Sequence, residues 1–197
     1  MKKTLLYIII GLGILVGLYF VFPRTVNKTT KDIGNEEQKA AEVVKEDVDL
    51  NIGGKIDLSG KGLTEVPKNV LDNSSVVELD LSDNSISSMP SQVEKWKNLR
   101  IFSAENNIMK SLPAEIRLWS KIEEIDVSGN GMTDLPAEIG QLRSLKVLDL
   151  SDNEIDEFPN ELQNLTQLKT LDLRGNPVKV DHLERIKSAL SDTEVLF

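Results

Sequence analysis

The stretch LKVLDLSDNEIDEFPNELQNLTQ, residues 145–167, contains the plan of most of the chain in one unit of 23 residues. Its fourth and sixth residues, Leu148 and Leu150, flank Asp149, the period-two alternation of a short strand that buries one face. Asn153 follows at the ninth position, and Ile155 at the eleventh. Phe158-Pro159 fill the fourteenth and fifteenth positions, with Leu162 three residues beyond the proline. Proline has no amide hydrogen, so it suits a position without a ladder partner.

The unit repeats without a slip. Val76, Leu99, Ile122, Leu145 and Leu168 open successive rungs 23 residues apart, and an earlier rung starts near Gly53. The alternating pair reads Ile56 and Leu58, Leu79 and Leu81, Phe102 and Ala104, Ile125 and Val127, Leu148 and Leu150, Leu171 and Leu173. Asn84, Asn107, Asn130, Asn153 and Asn176 keep the ninth position, and Lys61 replaces asparagine in the first rung. Val66-Pro67, Met89-Pro90, Leu112-Pro113 and Leu135-Pro136 match Phe158-Pro159. Stacked in parallel, such strands build continuous apolar columns. The asparagine side chain both donates and accepts, so it can satisfy backbone groups of neighbouring turns where leucine could not. One rung buries too little apolar surface to offset the entropy of ordering it, so the array is expected to fold as one unit.

This pattern resembles the leucine-rich-repeat family of the short proline-containing type over about Gly53 to Phe197. The resemblance implies an α/β solenoid, with a parallel sheet on the concave face and an irregular or short helical convex side. It also implies that the concave face binds. The chain lacks cysteine, which excludes disulfides, thiolate zinc sites and cysteine nucleophiles. That absence disfavours the cysteine-capped repeat domains of animal cell surfaces and points towards a bacterial source.

The ends depart from the repeat. Val48, Leu50 and Ile52 alternate before the first rung like a capping strand, so the repeat domain is taken as 48–197. A carboxy-terminal cap is expected over 181–197, with Asp181-His182-Leu183-Glu184 as an Asp-led capping box. Leu183, Ile186 and Leu190 at helical spacing, then a closing strand from Thr193 to Phe197, complete it.

After a short basic amino terminus, 1–4, residues 5–22 contain no charge. At about 1.5 Å per helical residue the run nearly spans a ~30 Å hydrocarbon core. It exceeds a secretory-signal core, and Phe22-Pro23-Arg24 follows in place of a small-x-small cleavage site. The expectation is a single-pass transmembrane signal-anchor helix with the repeats on the extracytoplasmic side. Gly13 and Gly17 form a G-x-x-x-G pair where two such helices could approach. The segment 24–47 is rich in charge and reads as a solvated linker.

Outward-pointing positions give the candidate partner contacts: Glu78, Asp80, Asp83, Arg100, Ile101, Glu105, Glu123, Glu124, Asp126, Lys146, Asp149, Asp152, Lys169, Asp172 and Arg174. The fifth position forms an acidic stripe, which Arg100, Lys146, Lys169 and Arg174 are expected to interrupt. The expected partner is another protein of basic or mixed charge. The formal charge of -9 opposes nucleic acid. Asp152, Glu154, Asp156 and Glu157 lack the glycine and distal glutamate of a calcium loop and read as a solvated turn. Trp96 and Trp119 are expected to stack in the convex-side core. No phosphate loop or H-E-x-x-H pair occurs, and the one histidine, His182, lies in the terminal cap. An interaction module with no enzyme activity, cofactor or metal is therefore expected. Two alternatives remain at this point: a structural envelope component assembling through its membrane helix, and a cytosol-facing scaffold if the topology is inverted.

Overall fold

The computed structural model describes residues 54–197. The expected anchor over 5–22 with Gly13 and Gly17, the linker over 24–47 and the capping alternation of Val48, Leu50 and Ile52 lie outside them. Among the described residues no helix is long and apolar enough to cross a membrane.

Each rung opens with a three-residue strand: β1 Lys55–Asp57, β2 Glu78–Asp80, β3 Ile101–Ser103, β4 Glu124–Asp126, β5 Val147–Asp149, β6 Thr170–Asp172 and β7 Glu194–Leu196. They form one sheet in chain order, all parallel. The register aligns Ile56, Leu79, Phe102, Ile125, Leu148, Leu171 and Val195 as one column. Rung-to-rung backbone bonds continue past the strands, as in Leu58 N–H to Asp80 O and Gly60 N–H to Ser82 O. The sixth-position column, from Leu58 to Leu173, is also buried. Phe102, the bulkiest fourth-position residue, shares its rung with Ala104, the smallest sixth-position one, which keeps that core layer at an even volume.

The asparagine ladder holds the turn after each strand. Asn107 Nδ2 donates to Ala104 O and Glu105 O of its own rung and to Leu81 O of the previous one, at 3.0 to 3.2 Å. Its Oδ1 accepts the N–H of Ile86, also on the previous rung, at 2.9 Å. Asn84, Asn130, Asn153 and Asn176 repeat the arrangement. These backbone groups turn away from the sheet and have no strand to pair with, so the amide supplies what the ladder cannot.

The convex side is helical in short pieces. Helix α1, Lys68–Leu71, is followed in later rungs by 3-10 helices Ser91–Lys95, Ala114–Leu118, Ala137–Gln141 and Asn160–Asn164. Each begins directly after the repeat proline, which is extended; Pro113 has φ -76° and ψ 153°. The proline carbonyl then accepts the first helical bond, as from Ile116 N–H to Pro113 O. The ring thus fixes the entry angle at a place where its missing N–H costs nothing. Trp96 and Trp119 are fully buried beside these helices, with ring centroids 6.1 Å apart. Their Nε1 atoms donate to Val70 O and Val93 O on the preceding rung.

The carboxy-terminal end differs from expectation at the start of its helix and from the repeat in its period. Helix α2 runs Val180–Ala189 with Lys179 in the cap position and no side-chain cap bond, so Asp181 lies inside the first turn and does not lead a capping box. The cause is the anchoring of Lys179 to the rung before: its N–H bonds Asp156 O, and its Nζ pairs with Asp156 and Glu157. Within the turn, Asp181 still meets the positive end of the helix dipole. The second difference is one of period. Val195 pairs with Leu171, one residue later than the 23-residue step would give, so Glu194 faces outward and Val195 packs inward. The longer helix takes up the extra residue. Ile186 and Leu190 are buried, and Leu183 is half-buried against the last rung.

Replacing Asn107 with alanine would strip three carbonyls and one N–H of their partner, so stability should fall by about 2–4 kcal/mol. Asn98→Ala, at an exposed position, should change it little; urea denaturation midpoints of the two variants decide the matter. A second contrast concerns glycine. A Cβ on Gly140 would sit 2.2 Å from the Glu161 carbonyl oxygen, whereas one on Gly131 would meet only the mobile end of Lys110. Gly140→Ala should cost about 1–3 kcal/mol by overpacking, and Gly131→Ala much less, in the same assay.

Candidate functional site

Because all seven strands run the same way, the concave face has two chemically different edges. Second-position residues precede each strand and gather along one edge; fifth- to eighth-position residues end it and gather along the other, some 15 Å away at strand rise. Arg100, Lys146 and Lys169 stand in the first column, one residue before β3, β5 and β6. They do not interrupt the acidic stripe. Asp80, Asp83, Glu105, Asp126, Asp149, Asp152 and Asp172 occupy the opposite edge, with Arg174 among them.

Six of the expected contact residues come together near the entrance to the central strands. Glu78, Arg100, Ile101, Glu123, Glu124 and Lys146, with Val147, line a shallow cavity of about 170 Å³. Ile101 is 37 % exposed and, with Val147, supplies its apolar surface, Glu124 standing between the two. The charges around it are largely paired. Arg100 donates from Nε to Glu123 Oε1 at 2.7 Å, and Lys146 Nζ donates to Oε2 at 2.6 Å. One carboxylate thus bridges cations from the rungs on either side, and hydrogen bonds from Lys146 and Arg100 hold the Glu123 pKa below the usual glutamate range. Glu78 pairs with Lys55 on β1. Lys169 lies outside this cavity.

The acidic edge is mostly engaged with its own backbone. Asp149 Oδ1 accepts the N–H of Ser151 at 2.9 Å and its hydroxyl at 2.7 Å. Asp57 and Asp126 bond Ser59 and Ser128 in the same way, and Asp80 accepts Ser82 N–H. Small serine at the seventh position therefore goes with aspartate at the fifth. The third rung breaks the pair: Ser103 bonds Ser82 side chain to side chain, and Glu105 stands where serine does elsewhere. Burial, and then the carboxylates of Asp126 and Asp83, raise the Glu105 pKa. Asp172, expected on the open face, is 4 % exposed and covered by its salt bridge to Arg174. The larger residue at its seventh position folds back over the carboxylate.

Family models for the leucine-rich repeat match residues 120–178 and residues 72–88. The leucine-rich-repeat family is thus supported over these rungs, which make up less than half of the chain. The solenoid is similar to a leucine-rich-repeat protein of Leptospira interrogans, with a TM-score of 0.55 and 28% identity over 68% of this chain and 40% of that one. It is also similar to the ectodomain of a plant membrane receptor kinase from Arabidopsis thaliana, solved in complex with Casparian strip integrity factor 2. There the TM-score is 0.53 and the identity 27%, over 58% of this chain and 14% of that one. An internalin from Listeria monocytogenes shares the fold, with a TM-score of 0.50 and 21% identity over 68% and 44% of the two chains. The chain spans less than half the length of each of these structures. No curated protein matches it.

Two features of the concave face escape a reading by charge alone. Asp83, Asn106 and Asp152 have φ of 56°, 54° and 53°, and Gly60, Gly129 and Gly175 are left-handed at the same eighth position. Asp83 and Asp152 are thus selected first for backbone, since aspartate, asparagine and glycine tolerate that conformation best. The run of Gly, Asp, Asn, Gly, Asp, Gly down this column carries the signal. Ile108, 57 % exposed at the acidic edge, is the other; its column otherwise holds Gly62, Ser85, Gly131, Glu154 and Pro177.

Side-chain carboxyl titration by NMR should find Glu123 below and Glu105 above the ordinary glutamate range, and Arg100→Gln should move Glu123 upward. Stability follows with opposite signs. The Glu123 contribution is present at neutral pH and is lost as pH falls through its lowered pKa. The raised pKa of Glu105 favours the folded state at low pH, and that benefit disappears as pH rises through it, so Glu105→Gln should not destabilise the protein at pH 7.

Proposed function

We propose that the chain is a membrane-tethered protein-interaction module that presents the concave face of its leucine-rich repeats to a protein partner on the extracytoplasmic side. The observation that carries this reading is a cavity on the open sheet in which Ile101 and Val147 stand on either side of Glu124, bordered by the paired charges of Arg100, Glu123 and Lys146. Exposed apolar side chains set among polar and charged ones are common in recognition surfaces. Leucine-rich-repeat proteins typically serve as interaction modules without catalysis, and the similar plant ectodomain is seen in complex with another factor. The tether rests on the apolar run over 5–22.

Photo-crosslinking side chains placed at positions 101 and 147 in cells should capture the same protein, and one at Lys187 on the terminal helix should not. Ile101→Glu should weaken binding of the captured protein at least tenfold, about 1.4 kcal/mol. Capture at Lys187 alone would reject the concave site. Protease added to intact cells should digest the repeats; protection until permeabilisation would place them on the cytosolic side.

A further inference from the structure

In a chain of formal charge -9, one concavity is strongly basic. It lies on the edge that precedes the strands, has a volume of about 400 Å³, and is lined by Arg100, Lys121, Arg143 and Lys146 with Glu123, Ser144 and Gln167. Four cations thus face one carboxylate. They come from three successive rungs: Arg100 and Lys121 from the start and end of that of β3, Glu123 and Arg143 from the start and end of the next, and Lys146 from the start of the one after. At the ~4.8 Å spacing of strands, the charges extend over about 10 Å.

The internal bonds of this concavity leave donors in excess. Lys121 Nζ bonds Asn98 Oδ1 at 2.8 Å, and Arg143 donates one bond to Asn164 O. Ser144 spends its hydroxyl hydrogen on Ser120 O. Glu123 occupies only Arg100 and Lys146. The remaining ammonium and guanidinium hydrogens, with Gln167, line an open concavity that has no carboxylate besides Glu123. A carboxylate saturates two such cations, as Glu123 already does. A phosphate group carries three strong acceptor oxygens and up to two charges, and suits a surplus spread over several directions.

We propose that this concavity is a binding site for a soluble oligophosphate, a ligand with two or more phosphate groups within about 10 Å. The site adjoins the proposed protein-binding centre at Ile101 and shares Arg100, Glu123 and Lys146 with its rim, while Lys121 and Arg143 belong to it alone; the inference does not rest on that reading. Phosphates replace solvent at Lys121 and Arg143 and compete with Glu123 for Arg100 and Lys146.

The test is calorimetric titration of the full-length protein with tripolyphosphate at moderate ionic strength. Saturable one-to-one binding is expected, with inorganic phosphate at least tenfold weaker. Arg143→Gln and Lys121→Gln should each weaken tripolyphosphate at least fivefold. Glu123→Gln should tighten it several-fold by freeing two cations, a gain that loss of fold cannot mimic. Lys95→Gln, which removes a cation paired with Asp72 elsewhere, should leave it unchanged. Absence of saturable binding, equal weakening by Lys95→Gln, or citrate binding as tightly as tripolyphosphate would overturn the proposal. So would binding confined to vesicles containing anionic phospholipid, which would assign the patch to a bilayer surface.

Discussion

A strand of three residues cannot stabilise itself, and the turn that follows it exposes backbone groups with no strand partner. The buried asparagine amide removes that deficit by bonding two carbonyls of its own rung and a carbonyl and an amide of the one before. Both partners on the neighbouring rung lie at fixed offsets, 26 and 21 residues back along the chain. One inserted residue between them would break both bonds, so the ladder enforces the 23-residue period more strictly than apolar packing does. The exception obeys the same logic: the extra residue that shifts β7 falls after Asn176, where no further asparagine has to be aligned. The tryptophans tie the convex side across rungs with the same 26-residue reach.

Parallel strands give the solenoid a second property that stacking alone would not. Every side chain of one column arrives at the same edge, so small compositional preferences add along the stack. Cations collect where strands begin and carboxylates where they end. The acidic side is chemically quieter than its composition suggests, because each aspartate of the fifth column gives an oxygen to its own loop. The basic side retains free donors.

The architecture was legible because its determinants are periodic. Alternation at the fourth and sixth positions, the asparagines and the prolines each recur at a spacing that a column of letters displays directly. What was not legible depends on geometry at right angles to that column. Arg100 and Lys146 are near Asp126 in a list of outward residues, but the strand direction separates them. The clamp on Glu123 depends on how two long side chains from flanking rungs fold over it, and the burial of Asp172 depends on Arg174 doing the same. Asp83 and Asp152 were read for charge when their backbone was the stronger constraint. The start of α2 moved because Lys179 found partners in the rung before, a long-range contact that no local capping pattern records.

The left-handed column also limits how such a chain can grow. Asn106 donates to Asp83 at 2.9 Å, while Gly129 and Gly175 leave room for the side chains of Asn106 and Asp152 above them. Each occupant is therefore chosen with its neighbour in mind. Lengthening the solenoid by copying the rung that carries Gly129 would place a glycine beneath a glycine and disturb nothing. Copying the rung with Asp83 or Asp152 would set two aspartates face to face with no amide between them, in a backbone shape that only a few residues accept. Gene duplication can thus extend this array readily from some rungs and only with a compensating substitution from others.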